Sequence, residues 1–329
     1  MSDLDEDCLD RWLKDVIPGF TGIQSLEKFQ DGQSNPTYRL GTAGGAYVLR
    51  RKPFGDLLRS AHAVDREYRL LTALHPAGFP VPCPIILCED ATVIGSVFYV
   101  MEMVEGQIFW NGTLPGVPKA DRRAYYDAMI DSLAALHSFD HVALGLGDFG
   151  APGNYIARQV ERWTKQYRAS QTDHIEDVEK LIDWLPRAIP EQGRTSIIHG
   201  DYRIDNLIYA HDRAQVKAVL DWELATIGDP LADFTYLAMC WALPQDGRAA
   251  LGGIDLEFES LPALDEAVAR YCAATGRKGL PDLHWYFAYN LFRLAGILQG
   301  IKKRVADGNA SSKHAAAMAA KTTGITGSR

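Results

Sequence analysis

The residues that decide the fold are HGDYRIDN at 199–206 and LDWE at 220–223. A short strand, SIIH, leads into the first stretch, and two further strands follow it, NLIY at 206–209 and VKAVLDW at 216–222. A turn at 210–215 joins these two strands. Because the second strand returns along the first, this hairpin predicts that Asn206 and Asp221 lie side by side, close to Asp201.

These residue types meet the needs of phosphoryl transfer. A carboxylate such as Asp201 can orient an attacking hydroxyl group and accept its proton. Asn206 and Asp221 offer the hard oxygen ligands that Mg²⁺ prefers, and Arg203 is placed to reach a γ-phosphate. In the alternative interpretation Asp201 and Asn206 only cap turns, as these residue types often do. That alternative does not explain Asp221 at the end of an apolar strand.

Composition narrows the class of protein. The chain has 329 residues, of which 47% are hydrophobic and 23% charged, and its net charge is −8. An acidic balance argues against nucleic acid as a partner, because that binding depends on Lys and Arg. The sequence has neither a signal-peptide pattern nor an apolar run of transmembrane length, so no membrane partner is expected. Five cysteines without a C-x-x-C pair favour a reduced, cytoplasmic setting.

The character of the sequence changes near residues 104–106. Before this point we predict a hairpin at 38–50, a helix at 60–74, a proline-rich connector at 75–84 and two strands within 93–104. After it we predict helices at 119–138, 154–169, 173–187, 261–275 and 282–304, with one more starting at Asp229-Pro230 and a weakly packed tail from about 306. The expected fold class is α+β, with a nucleotide-binding lobe at 1–104 and a larger, mostly helical catalytic and substrate lobe at 105–329.

The chain resembles the aminoglycoside phosphotransferase / choline kinase superfamily, which has a protein-kinase-like fold. It is most similar to the branch whose kinase-like domain also occurs fused to acyl-CoA dehydrogenases. The resemblance covers roughly residues 10–305. It is carried by DGQSNPTY at 31–38, YVLRRKP at 47–53, the two stretches quoted above, and GDPLAD at 228–233.

The resemblance implies a small-molecule kinase that uses ATP and Mg²⁺ and has a small-molecule hydroxyl acceptor. The implied catalytic residues are Asp201 and Arg203, and the implied metal ligands are Asn206 and Asp221. Arg50 stands where kinases place the phosphate-binding lysine, and Glu67 stands where they place its ion-pair partner. Lys52 is the rival candidate for the contact with the phosphates. An arginine here is a departure, because its planar group binds differently from the point charge of lysine.

The nucleotide-binding segments are less typical of the family. In place of a G-x-G-x-x-G loop the chain has Gly32, Gln33, Ser34 and Asn35, which we assign to the phosphates, although a plain hairpin turn is the alternative. Glu102, Met103 and Val104 fall at the expected hinge between lobes, where backbone groups bind adenine. A G-x-G-x-x-G does occur at 145–150, but no strand precedes it, so we predict an ordinary loop there.

The acceptor site is the least defined part of the prediction. In this superfamily the late helices line it, and Tyr289 and Arg293 share one face of the last helix. Arg293 favours an anionic hydroxylated metabolite, such as a hydroxyacyl-CoA, over a cationic aminoglycoside. A protein kinase is disfavoured by the incomplete glycine loop and the missing A-P-E segment. A non-catalytic nucleotide-binding module remains the other alternative, and the sequence does not separate ATP from GTP.

Overall fold

The structure is a computed structural model of the chain. The structure describes residues 4–29, 35–54, 64–151, 153–245, 249–280 and 282–306. None of the helices within these ranges is long and apolar enough to cross a membrane.

The first part of the chain forms one antiparallel sheet with two helices. Its strands are β1 (Ser25–Lys28), β2 (Thr37–Thr42), β3 (Gly45–Arg51), β4 (Pro84–Cys88) and β5 (Phe98–Glu102), in the order β1-β2-β3-β5-β4. Helix α1 (Glu6–Val16) is capped at its N-terminus by Asp5, whose carboxylate accepts the N–H of Cys8. Helix α2 (Val64–Leu74) buries Leu70, Leu71 and Leu74, the apolar side of its helical pattern.

The strand assignment between residues 75 and 104 was partly wrong. We predicted a connector up to residue 84 and two strands within 93–104, whereas β4 follows the connector and only one strand, β5, lies in the later range. Pro84 opens β4, which is an edge strand, and an edge tolerates a missing N–H donor. Asp90 instead makes a turn, because its Oδ1 accepts the N–H and the hydroxyl of Thr92.

The second part is mostly helical, which confirms the α+β fold class. Its helices are α3 (Lys119–Ser138), α4 (Tyr155–Ser170), α5 (Glu176–Trp184), α6 (Pro230–Ala238), α7 (Leu264–Thr275) and α8 (Leu283–Ala306). Two small antiparallel sheets lie among them. One pairs β6 (Ser196–Ile198) with β9 (Thr226–Gly228), and the other pairs β7 (Leu207–Tyr209) with β8 (Val216–Val219). The second sheet is the hairpin that the sequence predicted. The boundary between residues 104 and 105 stays a prediction.

The two parts meet at this hairpin. Gln107 and Tyr209 exchange two backbone hydrogen bonds of 2.8 Å, just after the chain leaves β5. Gly106 allows this approach, because a side chain there would place its Cβ only 2.2 Å from the Tyr209 oxygen. Val219 also donates to the oxygen of Pro80, at 2.8 Å. The hairpin is therefore fixed to the first lobe as well as to the second.

Helix α2 is fastened to the loop at 145–150. The guanidinium of Arg66 lies 4.1 Å from the centroid of the Phe149 ring and donates to the Phe149 oxygen at 2.7 Å. Arg69 donates to the Gly145 oxygen at 2.7 Å and pairs with Asp148. These contacts join a helix of the first lobe to a loop of the second.

An aromatic row leads from the helices to the hairpin. The ring centroids of Phe79 and Phe139 lie 6.0 Å apart, and those of Phe79 and Trp222 lie 5.9 Å apart. Trp222 is buried and also contacts the His199 ring at 4.6 Å. Because Trp222 follows Asp221 directly, this packing sets where the strand end lies.

Candidate active site

The loop between β6 and β7 is held by hydrogen bonds to the carboxylate of Asp233 in α6. Its two carboxylate oxygens accept the N–H groups of His199 at 2.7 Å and Gly200 at 2.9 Å. Nε2 of His137 lies 3.2 Å from the same carboxylate. Gly200 has φ of +86°, and a Cβ there would lie 2.8 Å from a backbone oxygen, so only glycine fits. These contacts and the conformation of Gly200 together fix the backbone conformation of the loop.

His199 connects this loop to the end of β8. Its Nδ1 accepts the N–H of Asp201 at 3.1 Å, so the proton of the neutral ring lies on Nε2. Nε2 in turn donates to the Leu220 oxygen at 2.8 Å. The histidine is completely buried and acts as a brace between Asp201 and the residue before Asp221.

Asp201, Asn206 and Asp221 lie together. Nδ2 of Asn206 donates to the backbone oxygen of Asp201 at 2.9 Å and to its carboxylate Oδ2 at 3.3 Å. The N–H of Leu220 donates to the backbone oxygen of Asn206 at 2.8 Å, which places Asp221 next to Asn206. Asp221 has φ of +65°, a left-handed conformation that turns the chain sharply at the strand end.

The donors of Asn206 and Asp221 fit a divalent ion of the Mg²⁺ type. Both hydrogen bonds from the Asn206 side chain to Asp201 are donated by its nitrogen, Nδ2. Its side-chain oxygen therefore points away from Asp201 and remains an acceptor. The carboxylate of Asp221 is about one-third exposed (36%). One carboxylate and one amide oxygen match the way Mg²⁺ binds, since it takes few protein ligands and completes its shell with phosphates and water.

Arg50 at the end of β3 joins the two lobes electrostatically. Its Nε lies 2.8 Å from Glu67 of α2, and its Nη2 lies 2.7 Å from Asp221. Burial alone would lower the pKa of Arg50, but these carboxylates raise it above its ordinary value, so the charge is permanent. Glu67 also accepts hydrogen bonds from Asn35 at 2.8 Å and from Tyr99 at 3.1 Å.

A cavity of about 540 Å³ lies between the lobes above these residues. Arg50, Glu67, Asn206 and Asp221 line its inner end. The residues predicted for the hinge, Glu102, Met103 and Val104, line it as well, together with apolar side chains that include Val48, Leu71, Met101, Ile108, Ile208 and Val219. An apolar slot with a polar end is typical of sites for a planar base attached to a charged group. Lys52 is not among the described residues that line the cavity, whereas Arg50 is.

A profile of the phosphotransferase enzyme family, APH, matches residues 25–283, which is most of the chain. The chain belongs to this family.

Two similar proteins agree with this assignment. Acyl-CoA dehydrogenase family member 10 of Mus musculus is 45% identical over 310 residues, which are 93% of this chain but only 29% of that protein. A crystal structure from Ralstonia eutropha, named among the aminoglycoside phosphotransferases, is 44% identical, has a TM-score of 0.88, and covers 98% of this chain and 96% of its own. The resemblance seen in the sequence is therefore confirmed.

A more distant structure supports the fold alone. It is a thermostable mutant of aminoglycoside phosphotransferase APH(4)-Ia in a ternary complex with AMP-PNP and hygromycin B. It is 17% identical, has a TM-score of 0.61, and covers 97% of both chains. The bilobal, protein-kinase-like fold predicted from the sequence is thus the fold of this family member.

The predicted phosphate loop lies only partly within the described residues. Gly32, Gln33 and Ser34 lie outside the described residues. Asn35 is described, and it is buried with its amide on Glu67, so it braces the Arg50–Glu67 pair.

Arg203 lies beside the carboxylate of Asp201. Its Nε is 3.5 Å from Asp201 Oδ1, and its Nη2 is 3.2 Å from Asp205 Oδ2. Burial alone would lower the pKa of Arg203, but these two acids contribute to raising it above its ordinary value. The contact of Arg203 with a γ-phosphate stays a prediction.

The two residues predicted for the acceptor are buried. Tyr289 is 1% exposed, and its ring is stacked with that of Trp285 at 5.8 Å. Arg293 is 7% exposed and donates through Nη2 to the Gly200 oxygen, so it lies beneath the loop between β6 and β7. The sequence interpretation missed Tyr236, whose ring centroid lies 4.8 Å from the guanidinium of Arg293. The available signal was an aromatic residue in a mostly apolar helix.

Proposed function

We propose that this chain transfers the γ-phosphoryl group of ATP to a hydroxyl group of a small molecule. The observation that carries the proposal is the contact of Asp201 with Asn206, which lines an apolar cavity together with Asp221. Their neighbour Arg50 brings a permanent positive charge to the same place. Few other arrangements need a carboxylate, two oxygen ligands and a guanidinium together.

Each residue then has a separate task. Asp201 orients the acceptor hydroxyl and takes its proton as the bond to phosphorus forms. Asn206 and Asp221 would hold Mg²⁺, which would offset the negative charge of the phosphates. Arg50 would contact the phosphates, and Glu67 holds its guanidinium through their ion pair.

The nucleotide enters this proposal through the cavity. Glu102, Met103 and Val104 would bind adenine through backbone groups, against the apolar walls. The relative APH(4)-Ia carries AMP-PNP in its ternary complex, which supports an adenine nucleotide for this chain. ATP in preference to GTP is part of the proposal.

The acceptor is proposed to be an anionic hydroxylated metabolite, such as a hydroxyacyl-CoA. Two guanidinium groups, Arg203 and Arg293, lie beside Asp201 and its loop, and their charge is the feature that supports an anionic acceptor over a polycation. The names of the curated relatives join this kind of chain to acyl-CoA dehydrogenases, although the chain spans 29% of the length of the mouse protein. An aminoglycoside is therefore the less favoured acceptor.

The experiment is a matched screen for ATP consumption. Hydroxyacyl-CoAs, neutral sugars and alcohols, and aminoglycosides are each supplied with Mg·ATP to the wild-type chain and to Asp201→Ala. We expect turnover with an anionic acceptor, and we expect Asp201→Ala to lower it by about 10²-fold or more while ATP still binds. Near-normal turnover by Asp201→Ala would contradict the assigned role, and turnover restricted to aminoglycosides would contradict the proposed acceptor.

A further inference from the structure

Both carboxylate oxygens of Glu67 accept hydrogen bonds from neutral side chains. Oε1 accepts the amide N–H of Asn35 at 2.8 Å, and Oε2 accepts the hydroxyl group of Tyr99 at 3.1 Å. All three side chains are buried within the first lobe. Arg50 comes closest to the same carboxylate through Nε, which lies 2.8 Å from Oε2. The orientation of the carboxylate is therefore set by Asn35 and Tyr99 as well as by Arg50.

Arg50 and Glu67 do not form the two-bond fork that is common between an arginine and a carboxylate. In that fork two guanidinium nitrogens donate in parallel, one to each carboxylate oxygen. Here Oε1, the oxygen that the second bond would need, is engaged by Asn35. Among the described residues, Arg50 donates through Nη2 to Asp221 at 2.7 Å and through Nη1 to Thr37 at 3.4 Å. Both terminal nitrogens therefore face residues that line the cavity.

Thr37 connects Asn35 to Arg50 a second time. Its hydroxyl group donates to the backbone oxygen of Asn35 at 3.0 Å and accepts from Nη1 of Arg50 at 3.4 Å. Asn35 thus acts on the guanidinium by two routes, through its amide and Glu67 and through its backbone and Thr37. Only the first route depends on the Asn35 side chain, so a substitution can remove it and leave the second in place.

We propose that Asn35 and Tyr99 are positioning residues that hold Glu67 so that Arg50 presents its terminal nitrogens to the nucleotide phosphates. This role rests on the proposed function and deepens it, because it concerns the same nucleotide site. It also accounts for an arginine at the position where kinases place a lysine. A lysine has one nitrogen and forms no fork, whereas an arginine can close a fork on Glu67 and withdraw those nitrogens from the cavity.

The decisive variant is Asn35→Leu, which has a similar size and shape but no amide. Without that donor the guanidinium can close the fork, so we expect Mg·AMP-PNP to bind about tenfold more weakly. Isothermal titration calorimetry measures this affinity without an acceptor. With an acceptor found in the screen, the KM for ATP should rise by about the same factor while kcat changes less than about threefold. Thermal melting of each variant shows whether it is folded.

An Arg50→Lys background separates positioning from general damage. Because lysine forms no fork, Asn35→Leu should weaken the binding of Mg·AMP-PNP there by less than about threefold. A loss confined to the arginine background supports the proposed role. An equal loss in both backgrounds would show that Asn35 acts on the site in some other way, and it would overturn that role.

Tyr99→Phe and Tyr38→Phe form a matched pair in the same sheet. Both rings are buried, and both hydroxyl groups hydrogen-bond a charged side chain, Tyr99 that of Glu67 and Tyr38 that of Arg51 at 3.3 Å. Of the two, only Tyr99 is among the described residues that line the cavity. We expect Tyr99→Phe to weaken the binding of Mg·AMP-PNP at least about threefold, and Tyr38→Phe to lower the melting temperature alone. If Asn35→Leu does not fold, this pair carries the test.

The positioning role and the proposed function fail in different ways. Folded Asn35→Leu or Tyr99→Phe with an affinity within twofold of wild type overturns the positioning role alone, because the wild-type chain still binds the nucleotide. A wild-type chain that neither binds Mg·AMP-PNP nor consumes ATP overturns the proposed function, and the positioning role with it.

Discussion

Arg50→Met tests the charge arrangement on which the nucleotide end of the cavity depends. The substitution keeps an apolar stem and removes the guanidinium that lies 2.8 Å from Glu67 and 2.7 Å from Asp221. The Glu67 side chain is only 3% exposed, so the variant leaves a buried carboxylate without its cation. The Asp221 side chain is 36% exposed, so the loss of its ion pair costs much less unfolding free energy, because water screens its charge.

The expected loss follows from these exposures. Removing one partner of a buried ion pair costs about 3–5 kcal/mol of unfolding free energy. Glu67 keeps its hydrogen bonds from Asn35 and Tyr99, so we expect the lower end of that range. The Asp221 contact adds no more than about 1 kcal/mol. The sum predicts a fall of about 3–4 kcal/mol, together with weaker ATP binding.

Urea unfolding followed by circular dichroism measures the loss, and Glu67→Gln provides the matched control. Glutamine keeps groups that can bond Asn35 and Tyr99 but has no charge. The double variant should cost clearly less than the sum of the two single variants, because it leaves no buried carboxylate unpaired. Arg50→Met within about 0.5 kcal/mol of wild type, or strict additivity in the double variant, would refute this reasoning.

Two further predictions concern the carboxylates. Asp221→Asn keeps an oxygen ligand but loses its charge, so the Mg²⁺ concentration for half-maximal activity should rise about tenfold or more, and an unchanged Mg²⁺ titration would contradict the metal role. Burial raises the pKa of Asp233, but the hydrogen bond and charge of His137 and the N–H of His199 outweigh it and hold the pKa below its ordinary value. The folded state then binds fewer protons here than the unfolded chain, so this stabilisation is present above the unfolded pKa near 3.8 and is lost as pH falls through the folded pKa. The unfolding free energy of Asp233→Asn should therefore fall less steeply with acid, by up to about 1.4 kcal/mol per pH unit, and parallel slopes for variant and wild type would be the contrary result.

The sequence predicted what local patterns determine. The apolar period over 119–138 gave both bounds of α3, and the alternation around 206–222 gave the hairpin of β7 and β8. Strand β4 was missed because prolines at 80, 82 and 84 resemble a connector, and the edge position that tolerates Pro84 depends on the finished sheet.

The supports of the site were harder to predict, because they act across long separations. Asn35 bonds Glu67, and Tyr236 contacts the guanidinium of Arg293, each pair being brought together only by the fold. In the sequence Tyr236 is one aromatic residue in a helix whose other side chains are almost all buried. Periodicity cannot distinguish a ring that only fills space from one that contacts a buried guanidinium.

Helix α2 works as a strut shared by both halves of the molecule. It carries Glu67, yet Arg66 and Arg69 tie it to the loop at 145–150 of the opposite lobe. Swinging the lobes apart would either pull this strut from the sheet or strip a guanidinium from the Phe149 ring. The nucleotide should therefore enter and leave past the outer rim of the cavity, where the exposed rings of Phe29 and Trp110 face the solvent. The charged groups at the other end of the cavity would already be in position.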